Sequence, residues 1–278
     1  MATAKRLRSM NMSECLYEVR EPGIGLITFN RPDRLNAWTG RMGNEYFAAI
    51  DAAVADPNVR VIVVTGAGKG YCAGADMGTL QAIPSGDTAS SKDGASIVEG
   101  RMQDEITRIT KPVIAAINGA AAGLGLVQAL MCDMRFAADT AKFTVAFSKR
   151  GLIGEYGISW VLPRLVGQAN ALDLMMSSRV VMANEAQQMG MVNKVVPADQ
   201  LMDVVLAYAA DLAMNVSPSS MAVMKRQVYS DYEKDVSSAS KEALRLMQES
   251  FTRSDFKEGV QSFLQKRQAE FPPVHPNA

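Results

Sequence analysis

The stretch V-I-V-V-T-G-A-G-K-G-Y-C-A-G-A-D-M at residues 61–77 decides the fold, together with K-P-V-I-A-A-I-N-G-A-A-A-G-L-G at residues 111–125. Each stretch begins with a short, almost continuous apolar run, which is typical of a strand buried on both faces of a sheet. A glycine-rich turn follows each run, and residues 124–131 then have the pattern of a helix. This repeated order predicts an α/β domain in which backbone amides gather at the starts of helices.

The flanking segments extend the pattern in both directions. Residues 24–30 predict another strand, and residues 42–54 predict a helix that stops at the Asp-Pro pair just after it. Residues 142–146 predict a further strand, which leads into a glycine-containing turn at residues 151–157. The α/β pattern therefore covers the first two thirds of the chain.

Two segments differ in character from this core. The polar residues 85–94 predict a loop, and the helix expected after it carries the apolar residues Ile97, Met102, Ile106 and Ile109. Beyond residue 198 helices dominate, and we expect them at residues 201–214, 219–233, 240–250 and 255–270. We therefore expect an α/β core at residues 12–200 and a C-terminal helical region at residues 201–278 that takes part in oligomerisation.

Composition excludes several classes of partner. Of the 278 residues, 29 are Lys or Arg and 29 are Asp or Glu, so no overall field favours nucleic acid or an anionic membrane. The apolar runs are too short to cross a bilayer, and the basic residues 1–12 lack the apolar segment of a signal peptide. Three cysteines without metal-ligand spacing suit a reducing compartment. We expect a cytoplasmic protein with buried thiols.

The chain has a single histidine, His275, which lies in the Pro-rich C-terminal tail. Nucleophiles activated by histidine, and metal sites built on histidine, are therefore not expected. A base in this protein should be a carboxylate, a lysine or a tyrosine. We expect no metal and no cofactor.

The glycine turns do not fit the common phosphate-binding motifs. A dinucleotide-binding G-x-G-x-x-G needs a third glycine where Tyr71 stands in the first turn and Gln128 in the second, and neither turn fits a P-loop. A glycine turn by itself is most often only a turn. Taken together, however, two turns can direct one backbone amide each at a single oxygen, which is the design of an oxyanion hole.

Four separated segments resemble the enoyl-CoA hydratase/isomerase (crotonase) superfamily in the same order. They are the two stretches quoted above, I-T-F-N-R-P-D-R-L-N-A-W at residues 27–38 and D-F-K-E-G-V-Q-S-F-L-Q-K-R at residues 255–267. The resemblance implies a spiral of ββα units with a C-terminal helical region, assembled as a trimer or hexamer. It also implies that the substrate is an acyl thioester of coenzyme A, whose enolate the two amides stabilise.

The same resemblance assigns roles to individual residues. The oxyanion amides would be those of Ala75 and Leu124, the latter at a position where many relatives have glycine. Residues of the CoA and acyl site would be Arg34, Leu35, Ala37, Ala73, Asp76, Met77, Gly119 and Phe147, joined by Phe263 and Lys266 from another subunit. Asp76 also suits the cap of the helix that follows its turn.

The position of the proton-transferring carboxylate distinguishes the possible reactions. Hydratases of this superfamily use two glutamates, and the corresponding positions here are Val127 and Phe147, which cannot accept a proton. Glu155, in G-L-I-G-E-Y-G, resembles the single acid of peroxisomal-type enoyl-CoA isomerases. Apolar neighbours, namely Phe147, Ile153 and Trp160, would raise its basicity.

Four alternatives remain open at the level of sequence. Glu155 is a solvated loop carboxylate, as most glutamates are; the base is instead Glu99, Asp104 or Glu105; the enzyme is an atypical hydratase; or the chain is a non-catalytic acyl-CoA-binding relative. The isomerase interpretation, with Glu155 as the only proton carrier, explains the loss of both hydratase glutamates.

Overall fold

The computed structural model describes residues 12–78 and 101–274 of the chain. The expected loop at residues 85–94 lies outside these residues, as do Ile97, Glu99 and His275. The strands in chain order are β1 Cys15–Arg20, β2 Ile24–Phe29, β3 Val61–Gly66, β4 Gly70–Cys72, β5 Val113–Ile117, β6 Ala120–Ala122, β7 Met134–Ala138, β8 Lys142–Thr144, β9 Val181–Met182 and β10 Lys194–Val196.

Within the described residues these strands form two sheets. The larger sheet has the order β1-β2-β3-β5-β7-β10 and is parallel except for the pair β1–β2. The smaller sheet has the order β4-β6-β8-β9, with β4, β6 and β8 parallel. Each glycine-rich stretch thus passes from a strand of the larger sheet to one of the smaller sheet, which is a recurring step of the crotonase spiral expected from the sequence.

Both faces of the central strands are buried, as their apolar composition predicts. In β3, Ile62 and Val64 belong to the larger core cluster, whereas Val61 and Val63 belong to a second cluster on the other face. A strand whose two faces are both covered needs apolar residues at successive positions, because neighbouring side chains point to opposite faces.

Helices cover both faces of the larger sheet. Their bounds are α1 Gly40–Ala55, α2 Leu124–Met131, α3 Ile158–Val166, α4 Gln168–Ser177, α5 Ala183–Gln188, α6 Leu201–Asn215, α7 Pro218–Asp231, α8 Val236–Ser250 and α9 Ser254–Gln265. Helix α1 packs against β1 and β2, and α6 packs against β2, β3, β5 and β7. In α6 the buried residues Leu201, Val205 and Ala209 recur every fourth position, which forms the stripe that meets the sheet.

One expected element differs in the structure. Instead of an α-helix through Met102, Ile106 and Ile109, a 3-10 helix spans Gln103–Arg108, with extended backbone at Met102 and Ile109. The side chain of Glu105 accepts a hydrogen bond from the Met102 amide at 3.3 Å, which fixes the start of the helix there. Because Pro112 follows soon after, a longer helix has no room to continue before β5.

The three cysteines are buried, as expected, and burial raises the pKa of the Cys72 and Cys132 thiols to about 12. These thiols are therefore protonated at neutral pH. Among the described helices, none combines the length and apolar character that crossing a bilayer requires.

Candidate active site

The two glycine turns lie side by side at one edge of the smaller sheet. Strands β4 and β6 are parallel neighbours, so the segments that leave their carboxyl ends meet. A Cβ atom placed on Gly74 would lie 2.9 Å from the carbonyl oxygen of Ala122 and 3.8 Å from the Cα of Gly123. Both glycines also have positive φ, 94° and 50°, so glycine satisfies a backbone requirement at each turn.

The amide of Ala75 is directed away from the neighbouring chain segment. The Trp38 amide donates to the Gly74 carbonyl at 2.7 Å, and the Asp76 amide donates to the Trp38 carbonyl at 2.9 Å. This parallel bridge uses the carbonyl before Ala75 and the amide after it. The N–H of Ala75 consequently lies on the opposite side of the turn, facing away from Trp38.

The amide of Leu124 is the first of helix α2. Gly123 is the N-cap residue, and its carbonyl accepts the Val127 amide at 3.0 Å. The first amides of a helix have no partner within the helix, and the helix dipole adds partial positive charge there. The Leu124 side chain is buried in the core, at 3% exposure. The backbone amide of this residue is thus the group available to a ligand.

A buried hydrogen-bond network holds α2 in place. The Gln128 side chain receives a hydrogen bond from the Tyr71 hydroxyl and donates one to the Tyr46 hydroxyl at 2.9 Å. All three side chains have no exposed surface. Tyr71 therefore packs in the core, where its hydroxyl donates to Gln128, and the start of α2 rests on a rigid base.

Ion pairs fix the first turn from outside. The Arg31 guanidinium donates to the Asp76 carboxylate at 2.9 Å and to the Ala37 carbonyl at 2.5 Å, and it lies 3.5 Å from the carboxylate of Glu14. Asp76 also accepts the Gly78 amide at 2.9 Å, as a helix N-cap does. The turn that contains Ala75 is therefore held between Arg31 and Trp38.

The residues expected to contact CoA at this turn lie in two adjacent segments. The Ala73 amide donates to the Leu35 carbonyl at 3.0 Å, so residues 34–37 run beside residues 73–76. Leu35 has a φ of 48°, and its side chain is exposed, as are those of Arg34 and Met77. The two segments thus expose both charged and apolar side chains beside Ala75.

Gly119 has a structural reason to be glycine. A Cβ atom on it would lie only 2.0 Å from the carbonyl oxygen of Lys69, which means that the two backbones touch. Gly119 is buried at this contact. It thus supports the packing of the two stretches, and a direct contact with substrate stays a prediction.

The two positions that the resemblance implies for the hydratase glutamates are apolar and enclosed. Val127 has no exposed surface and Phe147 has 6%. The Phe147 ring lies 3.7 Å from where a Cβ atom of Gly123 would stand, so it forms a wall beside the second turn. Neither side chain can exchange a proton with a ligand.

Glu155 lies on a loop that follows the flank of α2. The loop begins at Phe147, beside the N-cap Gly123, and ends at Gly157, where a Cβ atom would be 3.1 Å from the Cε of Met131 in the last turn of α2. Glu155 is half-buried, and this burial raises the pKa of its carboxyl group. Glu155 is thus a carboxylate of raised basicity, and its loop runs beside α2, the helix that starts with Leu124.

The prediction that Ile153 helps to bury Glu155 is wrong. Ile153 is 80% exposed, so it contributes little to the burial of the carboxylate. The glycines at positions 151 and 157 both have positive φ, and the loop between them turns outward at Ile153 before it returns at Glu155. Trp160 follows Glu155 by five residues, on α3, and its side chain is half-buried.

A cavity of about 870 Å³ opens immediately beyond Glu155. Its walls come from the 3-10 helix with the residues that flank it, from the end of α2, from the Glu155 loop, from α3, and from α7 with the residues just after it. The lining residues are Met102, Asp104, Thr107, Arg108, Ile109, Thr110, Met131, Tyr156, Gly157, Trp160, Ala222, Arg226, Tyr229, Ser230 and Glu233. Tyr156, next to Glu155, is half-buried with a φ of 53°.

Two of the three alternative carboxylates, Asp104 and Glu105, form ion pairs of their own, and the third, Glu99, lies outside the described residues. Asp104 pairs with Arg108, and Glu105 pairs with Arg101 at 2.7 Å. Neither shares a described contact with the two turns. No group of three or more metal-ligating side chains occurs in the described parts of the chain.

Phe263 and Lys266 are not brought to the turns within one chain. Phe263, on α9, is 83% exposed and lies in a groove with the start of α7 and with Phe271. Lys266 is the exposed residue that ends α9, with a φ of 52°. Their expected place in the site of another subunit stays a prediction.

Sequence reasoning gave no role to Arg31 or Gln128. Arg31 stands in one of the quoted motifs, yet its partners are far away in sequence, so no local pattern reveals the ion pairs. Gln128 was notable only as the residue that breaks a dinucleotide-binding motif, and its two tyrosine partners come from α1 and β4.

The amino-acid sequence is similar to those of known acyl-CoA enzymes. The chain is 33% identical over 261 residues to 1,2-epoxyphenylacetyl-CoA isomerase of Escherichia coli, covering 94% of this chain and 99% of that protein. It is 35% identical over 248 residues to the mitochondrial enoyl-CoA hydratase of Pongo abelii, covering 89% and 83%.

The structure is also similar to solved structures of enoyl-CoA hydratases and isomerases. An enoyl-CoA hydratase from Mycobacterium marinum is 50% identical, with a TM-score of 0.68 over 80% of this chain and 100% of that chain. An enoyl-CoA hydratase/isomerase from Mycobacterium abscessus, described as putative in its name, is 30% identical, with a TM-score of 0.85 over 94% and 100%. The model of the enoyl-CoA hydratase/isomerase family matches residues 19–273. The chain therefore belongs to the enoyl-CoA hydratase/isomerase family, whose members act on acyl-CoA thioesters.

Proposed function

We propose that this enzyme shifts the double bond of a 3-enoyl-CoA to the 2-position, with Glu155 as the only proton carrier. The observation that carries the proposal is that the two positions where the resemblance implies hydratase glutamates hold enclosed apolar side chains, Val127 and Phe147, while one half-buried carboxylate, Glu155, lies on the adjoining loop. Hydration by the two-glutamate route needs two carboxylates, whereas a double-bond shift needs one.

In the proposed reaction the thioester oxygen accepts hydrogen bonds from the amides of Ala75 and Leu124. Negative charge grows on that oxygen as the α-proton leaves, so these two donors stabilise the dienolate more than the neutral thioester. The N-terminal end of α2 adds its partial positive charge at the same point. This lowers the free energy of forming the carbanion.

Glu155 then moves a proton from one carbon to another. Its carboxylate removes the proton from the α-carbon, the electrons move into the dienolate, and the resulting carboxylic acid returns a proton to the γ-carbon. Partial burial supports this role because it raises the pKa of the carboxyl group and makes the carboxylate a stronger base. No cofactor enters these steps.

The proposed CoA site lies at the exposed segments around Arg34 and Met77, completed by Phe263 and Lys266 of a second copy in a trimer or hexamer. A cationic side chain such as Arg34 suits the phosphate groups of CoA, and the exposed side chains of Leu35 and Met77 suit its adenine ring. Exposed apolar side chains on α8 and α9 support assembly: Leu244, Met247, Phe256, Val260, Phe263 and Leu264.

The test is turnover of 3-hexenoyl-CoA by the wild-type protein and by Glu155→Gln. We expect 2-hexenoyl-CoA as the product, and a loss of kcat of about 100- to 10,000-fold in the variant, as for removal of a general base. Glu105→Gln and Asp104→Asn are matched controls, since each removes one of the two alternative carboxylates that the structure describes. Full activity of Glu155→Gln would overturn the assignment of the base.

Hydration of 2-enoyl-CoA is the second candidate, and the names of the relatives favour it. Proteins named enoyl-CoA hydratase cover most of the chain, including the Pongo abelii enzyme. In this case Glu155 would position a water molecule by itself. The same assay with 2-hexenoyl-CoA distinguishes the two reactions, because efficient formation of the 3-hydroxyacyl product that is lost in Glu155→Gln indicates a hydratase.

A further inference from the structure

The cavity beyond Glu155 is much larger than a short acyl group needs. Its volume of about 870 Å³ falls in the range of roughly 300–1,000 Å³ that is typical of pockets for drug-sized ligands. Helix α7 forms one wall, the 3-10 helix faces it, and Met131 with the loop at Gly157 forms the side toward the active site. The cavity is thus continuous with the loop that carries Glu155.

The wall of the cavity is part apolar and part polar, and its rim is charged. Its most buried lining residues, Met131 and Ala222, are apolar, whereas the half-buried positions include the apolar Ile109 and Trp160 as well as polar side chains, namely Asp104, Thr107, Thr110, Tyr156 and Tyr229. The charged side chains Arg108, Arg226 and Glu233 are exposed at the rim. The apolar part of the wall favours a hydrocarbon ligand, because burial of such a ligand removes apolar surface from water. The rim carries charge of both signs and gives no preference for an anionic or cationic group.

Specific contacts hold α7 over the cavity. Lys225 pairs with Asp133 at 2.8 Å, and the Tyr229 hydroxyl donates to the same carboxylate at 3.2 Å. At the outer end, the Arg164 guanidinium lies 4.2 Å from the Trp160 ring and 5.2 Å from the Tyr232 ring. Because α7 is fixed at its middle and at its C-terminal end, the cavity is already formed before a ligand enters, which lowers the cost of binding.

The distance from the proposed thioester site sets a minimum length for the acyl group. Helix α2 runs from Leu124, whose amide is proposed to hold the thioester oxygen, to Met131 at the cavity, and these eight residues span about 12 Å. An acyl chain that passes Glu155 reaches the cavity only if it extends over much of this distance. A four-carbon chain ends before the cavity.

We propose that the cavity receives the distal part of the acyl group, so that the substrates are CoA thioesters with medium-length or longer acyl chains. This proposal rests on the CoA-thioester site proposed above. It does not depend on whether the enzyme isomerises or hydrates the double bond. The class of ligand follows from the apolar residues at the deepest part of the wall, Met131 and Ala222, and from the distance along α2.

The test compares the binding of two saturated thioesters, butyryl-CoA and decanoyl-CoA, by calorimetry. Saturated acyl groups have no double bond to react, so the measurement is independent of the proposed reaction. We expect decanoyl-CoA to bind the wild-type protein at least about tenfold more tightly than butyryl-CoA, given the apolar surface of the additional methylene groups. Equal affinities would overturn the proposal, while the isomerase assay with hexenoyl substrates would be unaffected.

Two variants locate the effect in the cavity. Ala222→Leu fills it from α7, and Thr107→Leu fills it from the opposite wall, which keeps the test valid if the first variant fails to fold. Each should reduce the preference for decanoyl-CoA at least about fivefold and leave butyryl-CoA within about twofold. Val228→Leu, on the exposed side of α7, is the control and should change neither affinity. If a cavity variant lowered the affinity for both thioesters equally, or for neither, the result would contradict the proposed location.

Discussion

At the scale of single residues, Glu155 connects burial with basicity. A carboxylate that acts as the base is active only when deprotonated, so kcat/KM should fall as the pH drops through the pKa of Glu155 in the free enzyme. Partial burial raises this pKa, so the acid limb should lie above the ordinary glutamate value of about 4.3. A pH profile of kcat/KM with 3-hexenoyl-CoA measures it. An acid limb at or below the ordinary value would show that a different group, or a solvated Glu155, limits the reaction.

Arg31 is a second residue whose effect can be measured, although it acts through others. Its guanidinium joins the carboxylates of Asp76 and Glu14 and the Ala37 carbonyl, so it holds the turn whose amide we assign to the oxyanion hole. Arg31→Ala should lower kcat by about 10- to 100-fold, since small displacements of catalytic groups have effects of this size. Steady-state kinetics with 3-hexenoyl-CoA measures the change.

The comparison with Arg31→Lys separates position from charge. Lysine keeps the positive charge but lacks the planar group that reaches several acceptors together, so it should recover only part of kcat. Arg20→Ala, at an exposed ion pair with Glu18, serves as the control and should leave kcat unchanged. A rise in KM without a change in kcat in Arg31→Ala would mean that Arg31 contributes to binding instead.

At the scale of elements, α7 depends on a buried ion pair for its position on the core. The side chains of Lys225 and Asp133 are only 6% and 15% exposed, and Asp133 also accepts the Val113 amide at 2.7 Å. Replacing Lys225 leaves the Asp133 carboxylate buried without its ionic partner, with hydrogen bonds from the Val113 amide and the Tyr229 hydroxyl remaining. Lys225→Met should therefore lower the free energy of unfolding by about 3–5 kcal/mol, measured by urea denaturation.

An exposed lysine provides the comparison for this prediction. Lys234 lies just beyond α7 and pairs with Asp231 at the surface, where ion pairs contribute about 0–1 kcal/mol. Lys234→Met should accordingly unfold at nearly the wild-type urea concentration. If the two variants were equally stable, α7 would be held mainly by its apolar contacts.

At the scale of the whole molecule, sequence patterns predicted the central elements well. The strands at β2, β3 and β5 and the helices α1, α2 and α6 are where the apolar patterns indicated, because burial on one or both faces leaves a periodic signal. The short strands β4, β6 and β9, of two or three residues, have no such signal. Their positions depend on pairing with segments far away in the chain.

The candidate site was predictable where backbone geometry requires glycine and unpredictable where the conformation depends on how a segment is capped and how a loop runs. Gly74 and Gly123 mark the two turns in the sequence, and the structure places these turns against each other. The exposure of Ile153 and the short 3-10 helix at Gln103–Arg108 depend instead on local capping and on the path of a loop. The pattern of apolar and polar residues in the sequence indicates neither the cap nor the path of the loop.

The last prediction concerns the assembly of copies of the chain. Phe263 is 83% exposed and Leu264 is 73% exposed on α9, which is unusual for large apolar side chains in a chain that acts alone. We expect the wild-type protein to sediment at three or six times the 30.0 kDa of one chain. Phe263→Glu should shift the mass toward one chain, because a charge buried at an apolar interface is strongly unfavourable.

Analytical ultracentrifugation of both proteins measures this shift, with Leu172→Glu as the control at an exposed position on α4, outside α8 and α9. Since Phe263 is also proposed to complete the CoA site of a second copy, Phe263→Glu should raise the KM for the acyl-CoA together with the loss of assembly. A dissociated variant with unchanged KM would show that the site is complete within one chain. A variant that stays assembled but binds CoA poorly would place Phe263 in the site and outside the interface.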